Sequence, residues 1–307
     1  MPTPRNGRRI ALTGSSGLIG SALTERLQRE GHTVTRLVRS NPGPQDAVWD
    51  PASGTIDAAS LDGVEAVVHL AGEGIADARW TAAHKRAVMD SRVQGTTLLA
   101  STLAALDAPP SVLVSGSAIG FYGDRGDEEL DESSSRGTGF LADVVQAWED
   151  STAAAQAAGI RVAHIRTGIV QSTRGGALKQ QLLPFRLGVG GRIGSGHQWL
   201  PWISLGDEVS AIMHVLDTDS LSGPVNLVGP HPVTNAQYTK ALGKALKRPT
   251  LLPIPLLAIK LRYGTEMVQE MLLSSARVLP GKLLGSGFAF ADTDLLGTLR
   301  SLLSAHG

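Results

Sequence analysis

Apolar residues along this chain fall into short runs separated by stretches with a helical rhythm. Residues 9–12 form the first run, too short for a helix and closed by glycines at 14, 17 and 20. Ile19, Ala22, Leu23, Arg26 and Leu27 then keep the i, i+3, i+4 spacing of one helix face. The pattern predicts a strand, a glycine turn and a helix, with Gly31 closing the helix and residues 32–39 forming a second strand. Residues 41–63 are rich in glycine and proline and hold at most a short hairpin around Ser53 and Gly54. Further runs at 64–73, 111–124, 160–170 and 223–228 predict strands, and helices are predicted over 82–106, 140–158, 204–216 and 234–246. The first of these helices carries its rhythm on Ala83, Arg86, Ala87, Val93, Thr97 and Leu98, and the second on Leu141, Val144, Val145 and Trp148. The third turns Val209, Ile212, Met213 and Leu216 inward. Pro253 and Pro255 argue against a continuous first turn in residues 251–264. The remainder, 266–303, reads as a small helical cap with a Phe288–Phe290 staple, and no internal repeat or low-complexity tract is visible.

A strand that enters a helix through glycines leaves backbone N–H groups aimed at one point, where a phosphate can sit. Gly14, Ser16, Gly17, Leu18 and Ile19 are the residues this motif assigns to a dinucleotide pyrophosphate. Where an NAD site places an acidic residue for the adenine ribose, the second strand ends in Leu37, Val38 and Arg39. Arg39 can pair with a 2′-phosphate, which favours NADP over NAD; the alternative is a solvated strand-end charge. Leu70, Ala71 and Gly72 form a small-residue turn that lets the chain pass close to a nicotinamide ribose. Ser115 and Ser117 bracket Gly116 at the end of another strand, where a hydroxyl can donate to a substrate carbonyl or cap the local backbone.

Composition narrows the reading. The 307 residues carry 28 Lys plus Arg against 28 Asp plus Glu, which argues against a nucleic-acid-binding surface. The absence of cysteine removes disulfides, thiolate metal sites and thiol catalysis together. The eight histidines show no metal-ligand spacing, so no metal is expected. Apolar runs are far short of a membrane span, and the first nine residues contain no leader-like apolar segment, so the cytoplasm is the default compartment.

In their order along the chain, the glycine turn, Leu70-Ala71-Gly72, Ser115-Gly116-Ser117 and the run from Arg166 to Val170 resemble the extended short-chain dehydrogenase/reductase superfamily. That group includes nucleotide-sugar epimerases and dehydratases. AGEGIADARWTAAHK (71–85), SGSAIGFYG (115–123), FLADVVQAWE (140–149) and RVLPGKLLGSGFAF (277–290) more closely resemble a bacterial and organellar branch, the NAD(P)-binding epimerase family. The resemblance spans nearly the whole chain. It implies an α/β Rossmann fold of the extended type, a doubly wound parallel sheet with a smaller, interleaved C-terminal substrate domain. The dinucleotide domain would span 1–170, with 204–228 returning to it, and the substrate domain 171–203 and 229–307. A homodimer through helices flanking the sheet is the superfamily's habit.

One departure from the superfamily matters more than any match. Its acid/base pair is a Tyr and a Lys four residues later, on the helix after the serine strand. Here that helix offers Leu141 and Val145, or one residue earlier Phe140 and Val144, and neither frame holds a titratable group. Tyr122, near the serine strand end, and Ser117 are the remaining hydroxyl candidates for catalysis, although a packing role for Tyr122 stays open. Glu73 and Asp143 offer carboxylates, and His197 a proton donor near neutral pH. GRIGSGHQWLPWIS (191–204) looks like the superfamily's Gly-x-Gly-x-Gln element, which places Gln198, Trp199 and Trp202 at a substrate cleft. The arginine that commonly follows this Gln by two positions is Leu200 here, which weakens the family's implication of a nucleoside-diphosphate sugar. Two functions follow from the sequence: an NADP-dependent oxidoreductase or epimerase-like enzyme for a small carbonyl or sugar-type molecule, or an NADP-binding sensor or scaffold without turnover.

Overall fold

The computed structural model describes residues 7–304; residues 1–6, most of the stretch examined for a leader, and 305–307 lie outside the described residues. The chain begins β1 (Arg9–Thr13), α1 (Leu18–Arg29), β2 (Thr33–Val38), β3 (Ala47–Asp50), β4 (Thr55–Ile56), β5 (Ala66–His69), α2 (Ala82–Ala104) and β6 (Val112–Ala118). It continues through β7 (Glu129–Leu130), α3 (Phe140–Asp150), α4 (Ala153–Ala157), β8 (Arg161–Thr167), β9 (Ile169–Gln171), α5 (Gly176–Arg186), β10 (Trp199–Leu200) and β11 (Trp202–Ser204). Then come α6 (Leu205–Asp217), β12 (Gly223–Leu227), β13 (Val233–Thr234), α7 (Asn235–Leu246), α8 (Leu256–Tyr263) and α9 (Thr265–Val268). A π-helical turn (Gln269–Leu273), β14 (Arg277–Val278), α10 (Gly281–Gly285) and α11 (Leu295–Ser304) end the described chain.

Eight strands make the central sheet in the order β12-β8-β6-β5-β1-β2-β3-β4, parallel throughout except for β4. From β1 the chain winds outward to β2 and β3, then crosses back to β5 and winds the other way, so strand order reverses between β1 and β5. A ligand crevice opens at the carboxyl ends of strands at such a reversal. Both faces of a parallel sheet are covered, which is why its strands read as continuous apolar runs. On one face Ile10, Leu12, Val68, Val114 and Ile165 pack against Leu23 and Leu27 of α1 and Ile212 and Leu216 of α6. On the other, Ala11, Val67 and Leu113 meet Leu99 and Leu103 of α2 and Trp49. A third core joins α5, α7 and α11 around Trp202.

Several sequence expectations change in the folded chain. In α2 the buried residues are Val88, Arg92, Gly95, Thr96, Leu99, Ala100 and Leu103, not the stripe through Ala83 and Leu98. Alanine and threonine are spread all round this helix, so its own pattern does not choose a face; the sheet beneath does. The helix expected over 140–158 breaks at Ser151 and Thr152, whose hydroxyls donate to the carbonyls of Ala147 (2.6 Å) and Glu149 (2.8 Å). The strand expected over 160–170 divides at Gly168, where a Cβ would stand 2.7 Å from the Pro201 carbonyl oxygen. β9 then leaves the central sheet to pair with β11. Residues 41–63 do contain the short hairpin, and its first strand, β3, extends the central sheet. Phe288 and Phe290 meet edge to face at 4.8 Å and pack onto the first core beside His214 of α6. Among the described residues no helix is long and apolar enough to cross a membrane.

Glu208 on α6 is fully buried, with Oε1 accepting from the Thr167 hydroxyl at 2.8 Å and Oε2 unpartnered. Burial pushes its carboxyl up to about 8, against 4.5 for a free glutamate. Between those values the folded chain holds a proton that the unfolded chain has released, so this residue's contribution falls as pH rises through that window. Glu208→Gln should therefore raise the melting temperature relative to the parent more at pH 8 than at pH 5, measured by thermal denaturation at both pH values.

Candidate functional site

The glycine turn after β1 is built on contact. Gly14 has φ +69°, and a Cβ there would lie 2.7 Å from the Leu70 carbonyl carbon. A Cβ on Gly20 would come within 2.1 Å of the Gly14 carbonyl oxygen, so the first turn of α1 lies directly against the loop. Gly17 precedes α1 with no side-chain cap, and no acidic residue occupies the first turn, which leaves the positive end of the helix and its N–H groups free.

The facing turn is held by polar groups that the sequence reading did not weigh. Thr13 Oγ1 accepts from the N–H groups of Leu70 (3.1 Å) and Ala71 (3.2 Å). With both lone pairs engaged, its proton goes to His69 Nδ1 at 2.7 Å, so the imidazole carries its hydrogen on Nε2 and donates to Thr96 Oγ1 at 3.0 Å. Complete burial drives the His69 pKa down to about 4 and keeps the ring neutral. This chain fixes Leu70-Ala71-Gly72 opposite the glycine turn.

Between the two turns lies a cleft of about 590 Å³ lined by Gly14, Ser16, Gly17, Leu70, Ala71 and Gly72, with Arg39 exposed at its rim. Arg36 also reaches this rim, but both its Nε and Nη2 are engaged by Asp46, at 2.8 and 2.6 Å. Leu18 and Ile19 instead pack against the core under α1. Ser115 is wholly buried, bonds the Gly116 carbonyl at 3.3 Å and does not line the cleft. Glu73, one of the carboxylates the sequence offers, stands on the wall of this cleft.

A second cavity, about 370 Å³, adjoins the first and is largely hydrocarbon: Ile75, Ile119, Leu141, Val145, Trp148 and Ile169 among others. Leu141, Val144, Val145 and Trp148 line up on α3 as their spacing predicts, and all four face the cavity. Gly116 on β6 makes room for them, since a Cβ there would sit 2.8 Å from the Trp148 ring. The π-helical turn closes the far side, and its Glu270 accepts from the N–H groups of Phe140 and Leu141, both at 2.9 Å, capping α3 from a distant part of the chain. Asp124 accepts from Ser275 N–H at 3.1 Å. Trp199 lines this cavity with its indole N–H on Asp127 (2.8 Å) and Arg277 stacked on its ring. The other residues expected here are placed elsewhere. Gln198 donates to the Ile193 and Leu272 carbonyls, Trp202 is a core residue bonded to the His231 carbonyl, His197 is exposed and Asp143 pairs with Arg136.

Ser117 and Tyr122, the hydroxyl candidates for catalysis, belong to a buried network behind the cavity wall. Ser117 Oγ donates to Glu149 Oε1 at 2.6 Å. Glu149 takes a two-pronged bond from Arg166, Nε to Oε1 and Nη2 to Oε2, each 2.8 Å. Arg166 Nη1 donates to the Tyr122 phenol at 3.1 Å, and that phenol donates to Asn226 Oδ1 at 2.7 Å. The guanidinium lies 3.4 Å from the Phe121 ring centre. Burial pushes the Glu149 carboxyl up, but the Arg166 bonds and charge, with the Ser117 hydroxyl, outweigh it and hold the group below the usual carboxylate range. Burial raises the Tyr122 phenol, with Arg166 opposing in part. A fully buried phenol with raised pKa and every hydrogen-bonding position occupied is not poised to exchange protons with a ligand. Both hydroxyls therefore serve the fold here.

A model of the NAD dependent epimerase/dehydratase family matches residues 10–229, and one for a domain of unknown function, DUF1731, matches 254–302. An epimerase family protein of Mycobacterium bovis is 46% identical over 282 residues, covering 92% of this chain and 93% of its own. The crystal structure of the human epimerase family protein SDR39U1 with NADPH superposes with a TM-score of 0.88 at 34% identity, covering 96% of this chain and 99% of its own. A structure described as a nucleoside-diphosphate sugar epimerase, from Corynebacterium glutamicum, gives 0.81 at 38% identity over 97% of this chain and 58% of that one.

Arg166 is 3% exposed and Glu149 9%, so removing either partner strands a buried charge. Glu149→Ala should cost about 3 kcal/mol or more in urea denaturation. The paired replacement Glu149→Leu with Arg166→Met should recover most of that loss, because no charge is then left buried alone.

Proposed function

We propose that this chain, which belongs to the NAD dependent epimerase/dehydratase family, binds NADP and acts on a small, largely apolar carbonyl compound or the corresponding alcohol. The observation that carries the reading is the glycine-walled cleft at the strand reversal, with a free helix N-terminus and an exposed arginine, and a separate hydrocarbon chamber beside it, across the contact between Gly72 and Arg92. The residues fit a dinucleotide. The cradle between Gly14, Gly20 and Leu70 would be filled by any Cβ, and β2 itself runs out through Leu37 and Val38 to Arg39 with no acidic residue, although Asp50 of β3 lines the cleft beside Arg39. The N–H groups of the Gly14–Gly17 turn would hold the pyrophosphate, Arg39 the 2′-phosphate, and Leu70-Ala71-Gly72 the nicotinamide half. The human relative solved with NADPH supports the same choice of cofactor. When bound, the dinucleotide supplies two-electron transfer to or from a carbon–oxygen centre. The chain's own part is to exclude water, through Leu141, Val145 and Trp148 of α3, and to set the ligand against the Leu70-Gly72 turn.

A second reading, binding without turnover, is favoured by one specific observation. In either alignment of the superfamily's Tyr–Lys pair, α3 offers only hydrocarbon: Leu141 with Val145, or Phe140 with Val144.

Fluorescence titration with NADPH and NADH, followed by a panel of carbonyl compounds added to the NADPH complex, tests both readings. NADPH should bind about tenfold or more tighter than NADH, and Arg39→Asp should erase that preference. Equal affinity for the two would overturn the NADP assignment, and binding of neither would overturn the whole proposal. Consumption of NADPH by a carbonyl supports turnover; tight binding with no consumption across the panel supports the second reading.

A further inference from the structure

Three arginines are buried among the described residues: Arg8, Arg92 and Arg166. Arg8 pairs with Asp217 and Arg166 with Glu149. Arg92, 7% exposed on the inward face of α2, has no ion-pair partner. Its Nη1 donates to the backbone carbonyls of Glu73 (3.0 Å) and Val88 (3.1 Å); Nε is sealed in the interior without an acceptor, and Nη2 has no acceptor among the described residues. The guanidinium lies over the Trp148 ring at 4.9 Å and within 3.4 Å of where a Cβ on Gly72 would be. It thus stands where the hydrocarbon chamber meets the turn assigned to the nicotinamide half.

A buried cation with no carboxylate at ion-pair distance is costly, and here only the Glu73 charge acts on it, without a hydrogen bond to the guanidinium from its side chain, so a ligand carboxylate would supply what the chain does not. We propose that Arg92 receives a carboxylate, so that the hydrocarbon chamber takes a small organic acid whose apolar body lies along α3 while its carboxylate rests on Nη2 of the guanidinium. Burial lowers the Arg92 pKa to about 10, and the group remains a cation at neutral pH. The other charged residues lining the chamber do not compete for the acid's charge: Glu270 is spent on the N–H groups of α3 and Asp124 on Ser275. A free phosphate would satisfy the charge but leave the hydrocarbon walls uncovered, which is why an acid with an apolar body is the better occupant.

The inference deepens the substrate side of the proposed function and depends on that reading only for what lies next to the chamber. Its test is calorimetric titration of the purified protein, with and without NADPH, using hexanoate, the neutral isostere hexanamide and inorganic phosphate as probes. Hexanoate should bind at least about tenfold more tightly than hexanamide or phosphate. Arg92→Met should abolish the preference, and Arg92→Lys, which keeps the charge but not the planar guanidinium that places Nη2, should retain part of it. Equal binding of hexanoate and hexanamide by the parent protein would overturn the proposal without recourse to any variant. Phosphate binding as tightly as hexanoate would overturn it too, since the site would then answer to charge alone. A protein that binds NADPH yet shows no preference for hexanoate loses this inference and keeps the cofactor reading.

Discussion

The site's architecture depends on the buried pair of Glu149 and Arg166. It ties the C-terminal turn of α3 to β8, reaches β6 through Ser117 and β12 through Tyr122 and Asn226, and stacks on Phe121. A charge pair this far from water is kept only if nearly every lone pair and proton finds a partner. Here both carboxylate oxygens and all three guanidinium nitrogens are engaged. The consequence is positional. With its far end pinned by an ion pair and its near end capped by Glu270, α3 is held at both termini while its middle presents only hydrocarbon to the chamber.

That division of labour accounts for the contrast between the two cavities. The cleft at the strand reversal is made of backbone: glycines that allow close approach, N–H groups at the start of α1, and a turn braced by Thr13 and neutral His69. The chamber beside it is made of side chains, and one guanidinium without a full set of acceptors stands between the two. Hydroxyls that would ordinarily be sought as proton donors have been drawn into the scaffold. The cavity walls are accordingly poorer in titratable groups than the sequence motifs imply.

Local sequence carried the fold well. The glycine spacing after residues 9–12, the continuous apolar runs and the intervening helical rhythms each reflect a constraint that acts within a few residues: a turn with no room for Cβ, or a strand covered on both faces. The lining of the cleft was legible for the same reason, since Gly14, Ser16, Gly17 and Leu70-Ala71-Gly72 shape it through backbone geometry that their small side chains announce. The facing of α3 was legible because its apolar residues keep one stripe. The facing of α2 was not, because a helix rich in alanine and threonine offers its neighbours several usable faces and the sheet selects one. Arg92 left one signal that could have found it, an arginine in register with Val88, Thr96, Leu99 and Leu103.

What the chain determined by itself is therefore what short-range sterics and hydrophobic periodicity control: the alternation of strands and helices, the reversal-point cleft and the hydrocarbon stripe of α3. Which polar side chains face a ligand was decided only by the tertiary structure. Ser117 and Tyr122 sit 32 and 104 residues from the partners that consume them, Glu149 and Asn226. Gln198 is likewise taken up by the carbonyl of Leu272, 74 residues away. A polar group's availability depends on whether some distant group has already satisfied it, and burial makes that satisfaction obligatory. Only the folded chain brings those partners together.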